Sequence, residues 1–497
     1  MTLTEFYNKV NPSVGVAQIV FNHLFKEFPV KKIKDVADTT SGGTPDRGNP
    51  EYWYGGKIPW IKSGETNDGL ITQFEETITE KALANSSAKL FPKGTLLVAM
   101  YGATAGKTGI LDFESTTNQA LCAVFPNKLV VRDYLFWFFR QRRFGYLQES
   151  FGGAQPNISQ TIIKDTIIPV PDLDTQREIV SFLEKCEENG ELDSNFKFKK
   201  VFIEISRFFN YRSAYDALLL SQASQRSLLT ALRQAILTEA VQGHLTPQWR
   251  KENPNQEHAR ELLKRIAAEK AQLIKEKKIS KEKPLPAIKE EEVPYGVAEG
   301  WVWCYMQDLC PNISSGSTPP SQYWRDSGVP YLKVYNIRNQ KIDFRYKQQY
   351  IDLDYHTTKS KRSILIPGDV IMNIVGPPLG KVAIIPDSFS EWNCNQAISF
   401  FKPIVKDLNE WMYSFLCEGS FLKDIELIGT AGQDNISVTK CKNIKLPLPP
   451  LPEQHAIVQK VNALLACCDE LEQQVQQSKA DLDLLMQSVL SEVFGIK

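Results

Sequence analysis

Near the C-terminus, apolar or small residues return at alternating steps of three and four: Ile457, Val461, Leu464, Cys468, Leu471, Val475, Ser478, Leu482, Leu485 and Val489. That spacing gathers them on one stripe of an α-helix and describes a heptad seam. It also runs through Phe208, Tyr211, Tyr215, Leu218, Gln222, Gln225, Leu229, Leu232 and Ile236. Two long helices are predicted, and their polar interruptions give a register. In an antiparallel pair whose facing residue numbers sum to 700, Gln222 meets Ser478 and Leu229 meets Leu471. A slip of one heptad would bury the Gln222 amide in an apolar layer, at about 1 to 3 kcal/mol. Elsewhere the period shortens. Runs such as 95–100 and 370–375 are short, apolar and bounded by Gly, Pro and Asn, which predicts strands in compact α+β domains.

These patterns occur twice because the chain repeats itself. Ser41-Gly42-Gly43-Thr44-Pro45 returns as Ser315-Gly316-Ser317-Thr318-Pro319. Tyr52-Trp53 and Ile58-Pro59-Trp60-Ile61-Lys62 return as Tyr323-Trp324 and Val329-Pro330-Tyr331-Leu332-Lys333, 271 positions on. Gly102, Gly106 and Lys107 match Gly376, Gly380 and Lys381, and Asn118-Gln119-Ala120 matches Asn395-Gln396-Ala397. Gln155 with Asn157-Ile158-Ser159 matches Gln433 with Asn435-Ile436-Ser437, and Pro169-Val170-Pro171 matches Pro447-Leu448-Pro449. Landmarks in one order over more than a hundred residues mark a tandem duplication. The expected organisation is an extension over 1–28, a globular domain over 29–168, a helical region over 169–246, a charged linker over 247–293, a second domain over 294–446 and a second helical region over 447–497. The first half of the linker can be helical. Residues 187–212 interrupt the first helical region with no counterpart in the second.

Composition narrows the function. Lys and Arg number 58 against 58 Asp and Glu, so a nucleic-acid site must be a local patch rather than a whole-chain field. The 9 cysteines form no C-x-x-C pair, and the 5 histidines are dispersed. That pattern predicts reduced thiols and no metal site. The first ten residues carry no secretory signal pattern, and no apolar run reaches the ~18 residues of a membrane span, so a cytoplasmic protein without membrane partners is expected.

The ordered motifs, together with the segment LRQAILTEAVQGHLTPQWRKE at 232–252, resemble the specificity subunits of type I restriction-modification enzymes. The resemblance covers essentially the whole chain after residue 28. It implies two target recognition domains, each reading one half of a split sequence in double-stranded DNA, separated by two long helices that form an antiparallel coiled coil. It also implies partners. Modification subunits, which methylate adenine with S-adenosylmethionine, would dock on the helical region, and restriction subunits would join them. The chain itself would bind no cofactor and catalyse nothing. Rival readings are a coiled-coil adaptor for other proteins and a self-contained methyltransferase or nuclease.

Motifs that could carry chemistry argue against the enzyme readings. Gly102-Ala103-Thr104-Ala105-Gly106-Lys107-Thr108 has three residues between its glycines where a phosphate loop needs four, and its counterpart contains Pro377 and Pro378. It reads as a tight turn presenting Lys107 and Lys381 to DNA phosphates. Asn49-Pro50-Glu51-Tyr52 resembles a base-gripping loop of amino-methyltransferases, but Glu51 replaces a proline and no glycine-rich cofactor loop accompanies it. Three Pro-Asp steps lack the acidic-x-Lys partner of a nuclease. Base edges are read by Arg, Lys, Asn, Gln, Ser and Thr. The loops after the Pro-aromatic step supply Lys62, Ser63, Thr66 and Asn67 in the first copy, and Lys333, Asn336, Arg338 and Asn339 in the second. Residues common to both copies cannot distinguish two half-sites. Gln155, Asn157, Gln433 and Asn435 are therefore expected in backbone or turn-capping roles, and Tyr52, Trp53, Tyr323 and Trp324 in the core.

Overall fold

A computed structural model describes residues 3–7, 9–149, 157–190, 192–425 and 434–494. The chain divides into two units, Met1–Gln222 with Gln476–Lys497 and Ala223–Val475. In the first, strands Ala37–Ser41, Leu121–Pro126, Leu96–Ala99, Thr108–Leu111 and Gly69–Ile71 lie side by side in that order. Neighbours are antiparallel except the last two, which run parallel. Successive side chains of a strand leave opposite faces. Accordingly Leu96 and Val98 join one buried cluster, with Tyr134, Leu135 and Phe138 of helix Arg132–Glu149, while Leu97 and Ala99 join another. Burial on both faces explains why this strand is apolar throughout.

A second sheet of the same unit orders Glu76–Ile78, Ile58–Ile61, Ser115–Thr117 and Leu90–Phe91. Beside it Trp53 meets Trp60 edge to face, centroids 5.1 Å apart.

The second unit repeats this plan. Asn312–Ser315, Ile398–Lys402, Val370–Asn373 and Val382–Ile384 form one sheet; Trp324–Arg325, Tyr350–Ile351, Val329–Leu332 and Asn393–Cys394 form the other. Val370 and Met372 face a cluster containing Trp411 and Phe415, and Ile371 faces one containing Trp392. Trp324 meets Tyr331 edge to face at 5.0 Å. The duplication read from motifs is thus a duplication of sheets, clusters and ring pairs.

Each domain starts and finishes on one strand pair: Val30–Lys32 with Ile167–Pro169, and Val302–Tyr305 with Lys445–Leu448. Past each pair a buried glutamine turns the chain into a helix. Gln176 donates to the Pro171 carbonyl and Gln454 to the Pro449 carbonyl, both at 2.8 Å.

The first helical region is broken. Helix Leu173–Asn189 stops at Gly190 (φ 68°), and the chain restarts as Val201–Val241, whereas the second copy runs unbroken as Leu451–Phe494. The intervening residues, without account in the sequence, fold back through aromatics: Phe196 stacks on Phe182 at 4.0 Å, and Phe198 meets Phe28.

The seam of Val201–Val241 differs from the one expected. Phe208, Tyr215, Leu229 and Ile236 are buried, but Tyr211, Leu218 and Leu232 are exposed. The helix instead turns Arg212 and Arg233 inward by one position. Arg212 donates to the Tyr7 carbonyl at 2.9 Å and Arg233 to Asp469 at 2.6 Å, so apolar stems cover the seam while the charged heads find partners. The helices run antiparallel within each unit. Tyr215 donates to Asp483 in the first, and Arg233 reaches Asp469 in the second, pairs whose numbers sum to 698 and 702. Leu485, expected opposite Tyr215, is exposed, and Met486 takes the buried place.

Two further segments are more than appendages. In the extension, helix Pro12–Glu27 packs Val16, Val20, Phe21 and Leu24 into the main cluster of the first unit. Gly15 lies under the Phe208 ring, where a Cβ would come within 2.4 Å of the ring. In the charged linker, helix Ala259–Lys275 buries Ala259, Leu262 and Ile266 in the second unit. Beyond it Glu282 pairs with Lys442 at 2.6 Å, and the Lys283 carbonyl accepts from Gln307 at 3.0 Å. The linker expected there is therefore clamped to the domain along its length.

Candidate nucleic-acid interface

In both repeats the strand carrying the Pro-aromatic step ends in one turn of 3-10 helix, Ser63–Glu65 or Val334–Asn336. The third residue of the turn caps it. Glu65 accepts from the Lys62 amide at 2.6 Å, and Asn336 from the Lys333 amide at 2.9 Å. The same two side chains then hold the backbone ten residues further on. Glu65 accepts from the Glu75 amide at 3.1 Å, while Asn336 donates to the Tyr346 carbonyl at 2.8 Å.

A second pin joins each loop to the glycine-lysine turn. Asp68 (φ 60°) accepts from the Thr108 amide at 2.9 Å, and Gln340 (φ 57°) accepts from the Val382 amide at 2.6 Å. The loops selected from sequence therefore lie beside the turns carrying Lys107 and Lys381.

Those turns hold four left-handed glycines, Gly102, Gly106, Gly376 and Gly380, with φ between 74° and 84°. In the first, the amides of Ala105, Gly106 and Lys107 donate to Gly102, Ala99 and Thr104 carbonyls. Those three amides are committed to the turn and cannot cradle a phosphate, and the lysine side chains are the charged groups these turns carry.

The candidates separate under this geometry. Thr66 and Asn336, expected at base edges, are buried at 2% and 1% exposure. Thr66 donates to the Ser63 carbonyl at 2.8 Å and Asn336 is spent on the loop backbone, so both are structural. Ser63 is half-buried and supplies that carbonyl. Asn67 is exposed but makes an Asx turn, accepting from Gly69 and donating to Leu70. Lys62 is held by Glu75 at 2.5 Å and Glu76 at 3.0 Å. Its hydrogen bonds to the Glu75 and Glu76 carboxylates raise its pKa, and Arg47 together with Lys62 lowers that of Glu76. Lys333 lies over the Trp324 ring at 4.9 Å. Arg338, Asn339 (φ 49°) and Lys381 line one open depression with Gln340 and Gly380. Lys107 is half-buried in its turn.

Sequence reasoning missed the residues just beyond these loops. In the second repeat Lys341, Arg345, Tyr346 and Lys347 are exposed, and the Tyr346 ring carries Arg338 at 4.4 Å and Lys347 at 5.4 Å. In the first, Arg47 lies over Trp53 at 3.9 Å and pairs with Glu76. Alignment at the 271-residue offset sets Glu75-Glu76 against Tyr346-Lys347, a signal present in the sequence and not used.

The shared Q-x-N-I-S segments pair with the strand leading into each turn. Asn157 bridges Tyr101 and Asn435 bridges Val375, with Ile158 donating to Met100 and Ile436 to Ile374. Gln155 and Gln433 lie outside the described residues. Among the described residues no group of three or more His, Cys, Asp or Glu is placed to hold a metal, and no helix is long and apolar enough to cross a membrane. Burial pushes the thiols of Cys122, Cys394 and Cys441 up to about 12, which keeps them protonated at neutral pH.

Known sequences decide the family. The model of the type I restriction modification DNA specificity domain matches twice, over residues 26–196 and 298–478. The chain belongs to this family. The type I restriction enzyme EcoAI specificity subunit of Escherichia coli is 28% identical over 378 residues, 71% of this chain and 62% of that protein. The EcoBI specificity subunit of the same organism is 23% identical over 95% of this chain and 81% of its own length. The chain thus spans somewhat less than two thirds of the EcoAI subunit. A solved structure, described as the structural basis underlying complex assembly and conformational transition of the type I R-M system, is 14% identical. It covers 94% of this chain and 97% of its own, with a TM-score of 0.49. The HsdS subunit of Thermoanaerobacter tengcongensis is 16% identical over 94% and 96%, with a TM-score of 0.38. Two specificity domains in one chain are the family's counterpart of the two sheet-and-cluster units described above.

Proposed function

We propose that this chain is the DNA-reading subunit of a type I restriction-modification complex, with each specificity domain reading one half of a split target in duplex DNA. The observation that carries this reading is the contrast between framework and loops. The framework is the same twice: Trp60 donates to the Gly43 carbonyl and Tyr331 to the Ser317 carbonyl, while Thr44 meets Gln119 and Thr318 meets Gln396. The loops mounted on it differ in sequence, charge and polar groups. A repeated scaffold with unlike loops suits two different half-sites, because phosphate contacts position a protein and base-edge contacts specify the sequence.

The chain performs no chemistry in this scheme. Modification subunits bring S-adenosylmethionine and methylate the target, restriction subunits cleave, and both assemble on the helical regions in the cytoplasm. The two long helices set the number of bases between the half-sites.

The test is a domain exchange in the assembled complex. Replacing 29–168 with the corresponding domain of a relative should change one half of the methylated sequence and leave the other half intact. A change in both halves, or in neither, would contradict the assignment.

A further inference from the structure

The whole-chain charge of zero conceals a strong imbalance between the two repeats. From the Pro-aromatic strand to the end of the following lobe, residues 62–91 carry 3 cations and 5 acids. Residues 333–362, the matching stretch, carry 8 cations and 3 acids. The difference is concentrated at the loop that Glu65 and Asn336 hold in place.

In the first repeat that loop presents Glu75 and Glu76, which engage Lys62 and Arg47. Its cations are answered within the domain. In the second repeat the same place is taken by Arg345, Tyr346 and Lys347, all exposed. The turn is anchored from beneath: Phe344 is buried beside Trp392 at 5.2 Å, and Asn336 donates to the carbonyls of Tyr346 and Asp343 at 2.8 and 3.3 Å. Arg338 packs over Tyr346 from the neighbouring strand. A rigid turn with exposed cations around an aromatic ring suits a phosphodiester backbone, which rewards fixed positive charge by releasing counterions.

We infer that the second-repeat lobe, residues 338–347, is the chain's principal grip on DNA phosphates, and that the first specificity domain adds little to affinity. The inference rests on the proposed DNA-reading function and adds a division of labour to it. The second domain holds the duplex with a salt-sensitive contact. The first, carrying excess negative charge around Lys62, contributes discrimination once the chain is held.

Salt titration of the full chain on random-sequence duplex DNA tests this. Each phosphate contact adds roughly 0.9 to the slope of log affinity against log salt. The double variant R345Q/K347Q should lower that slope by about 2 and weaken binding more than tenfold at low salt. The matched double variant K62Q/K107Q should lower it by less than about 0.5. Arg345 and Lys347 are exposed while Lys62 and Lys107 are partly buried, and a gain-of-function variant guards against misfolding: E75Q/E76Q should tighten binding several-fold and steepen the slope. Equal losses from the two lysine and arginine doubles, or weaker binding by E75Q/E76Q, would overturn the inference while leaving the DNA-reading function in place. An unaltered chain whose binding to duplex DNA shows no salt dependence would overturn both.

Discussion

Glu65 and Asn336 occupy one position in the two repeats and perform one task with opposite polarity. Each caps the turn from its third residue. The carboxylate then holds an N–H ten residues on, and the amide holds a C=O. Burial raises the Glu65 carboxyl above its ordinary range, while the two backbone amides oppose that shift.

This polarity predicts the effect of Asn336→Asp. The new carboxylate would still cap Lys333 but would face the Tyr346 and Asp343 carbonyls without a proton to give. A buried unsatisfied group of this kind costs about 1 to 3 kcal/mol, more when charged. Urea unfolding should register about 2 kcal/mol of lost stability, and the freed turn should also weaken binding to duplex DNA. Full stability at neutral pH would mean that the amide is not the pin.

Glu453, at 1% exposure, accepts from Thr246 at 2.8 Å, Arg250 at 2.5 Å and the Trp301 indole at 2.8 Å. Removing one partner of a buried pair typically costs about 3 to 5 kcal/mol. Arg250 keeps its bond to the Gly243 carbonyl and reaches solvent, so Glu453→Ala should lose about 3 kcal/mol, at the lower end. The shift in urea midpoint measures it, and a loss below about 1 kcal/mol would contradict the account.

Gly15→Ala should disturb the packing of the extension against helix Val201–Val241. A Cβ within 2.4 Å of the Phe208 ring forces the ring or the helix to move. Overpacking of this kind costs about 1 to 3 kcal/mol. A thermal melt of the variant should show the loss, and the double variant Gly15→Ala with Phe208→Leu should lose less than the two single changes added together.

Helix pairing in the second unit can be checked by charge reversal. Arg233→Glu sets a carboxylate against Asp469 and Glu472, and Asp469→Arg in the same chain restores an opposite pair. Partly exposed pairs couple by about 0.2 to 1 kcal/mol. The double-mutant cycle should return a favourable coupling in that range; a coupling of zero would place these side chains apart.

Acid sensitivity follows from Glu76. Arg47 first, then Lys62, holds its folded pKa below the ordinary 4.5. The stabilisation is present above the unfolded value and disappears as pH falls through the lower folded one. The first domain should therefore lose stability below about pH 4.5, and Glu76→Gln should reduce that part of the pH dependence. An unchanged pH profile in the variant would assign the acid response to other carboxylates.

Much of the fold was legible because the repeat restates each element. Tyr52, Trp53, Tyr323 and Trp324 were readable as packing residues since both copies keep them, and they lie partly buried against the Trp60 and Tyr331 clusters. The helix seam was half legible. Heptad spacing located Phe208, Tyr215, Leu229 and Ile236, but spacing cannot see that an arginine with a carbonyl or carboxylate within reach packs better than Tyr211 or Leu232. The site was least legible. Polar residue type marked Thr66 and Asn336 as reading groups, whereas their hydrogen bonds are consumed by the turn. The exposed cations lay a few residues further on, where charge rather than hydrogen-bonding type was the signal.

The paired strands at the base of each domain have a genetic corollary. Because Val30 faces Pro169 and Val302 faces Leu448, the chain leaves each domain beside the point where it arrived. A DNA segment recombined between the codons of those two strands would carry a whole domain into the gene. Inheritance of a new domain would then require two crossovers and no change in the helices that follow it.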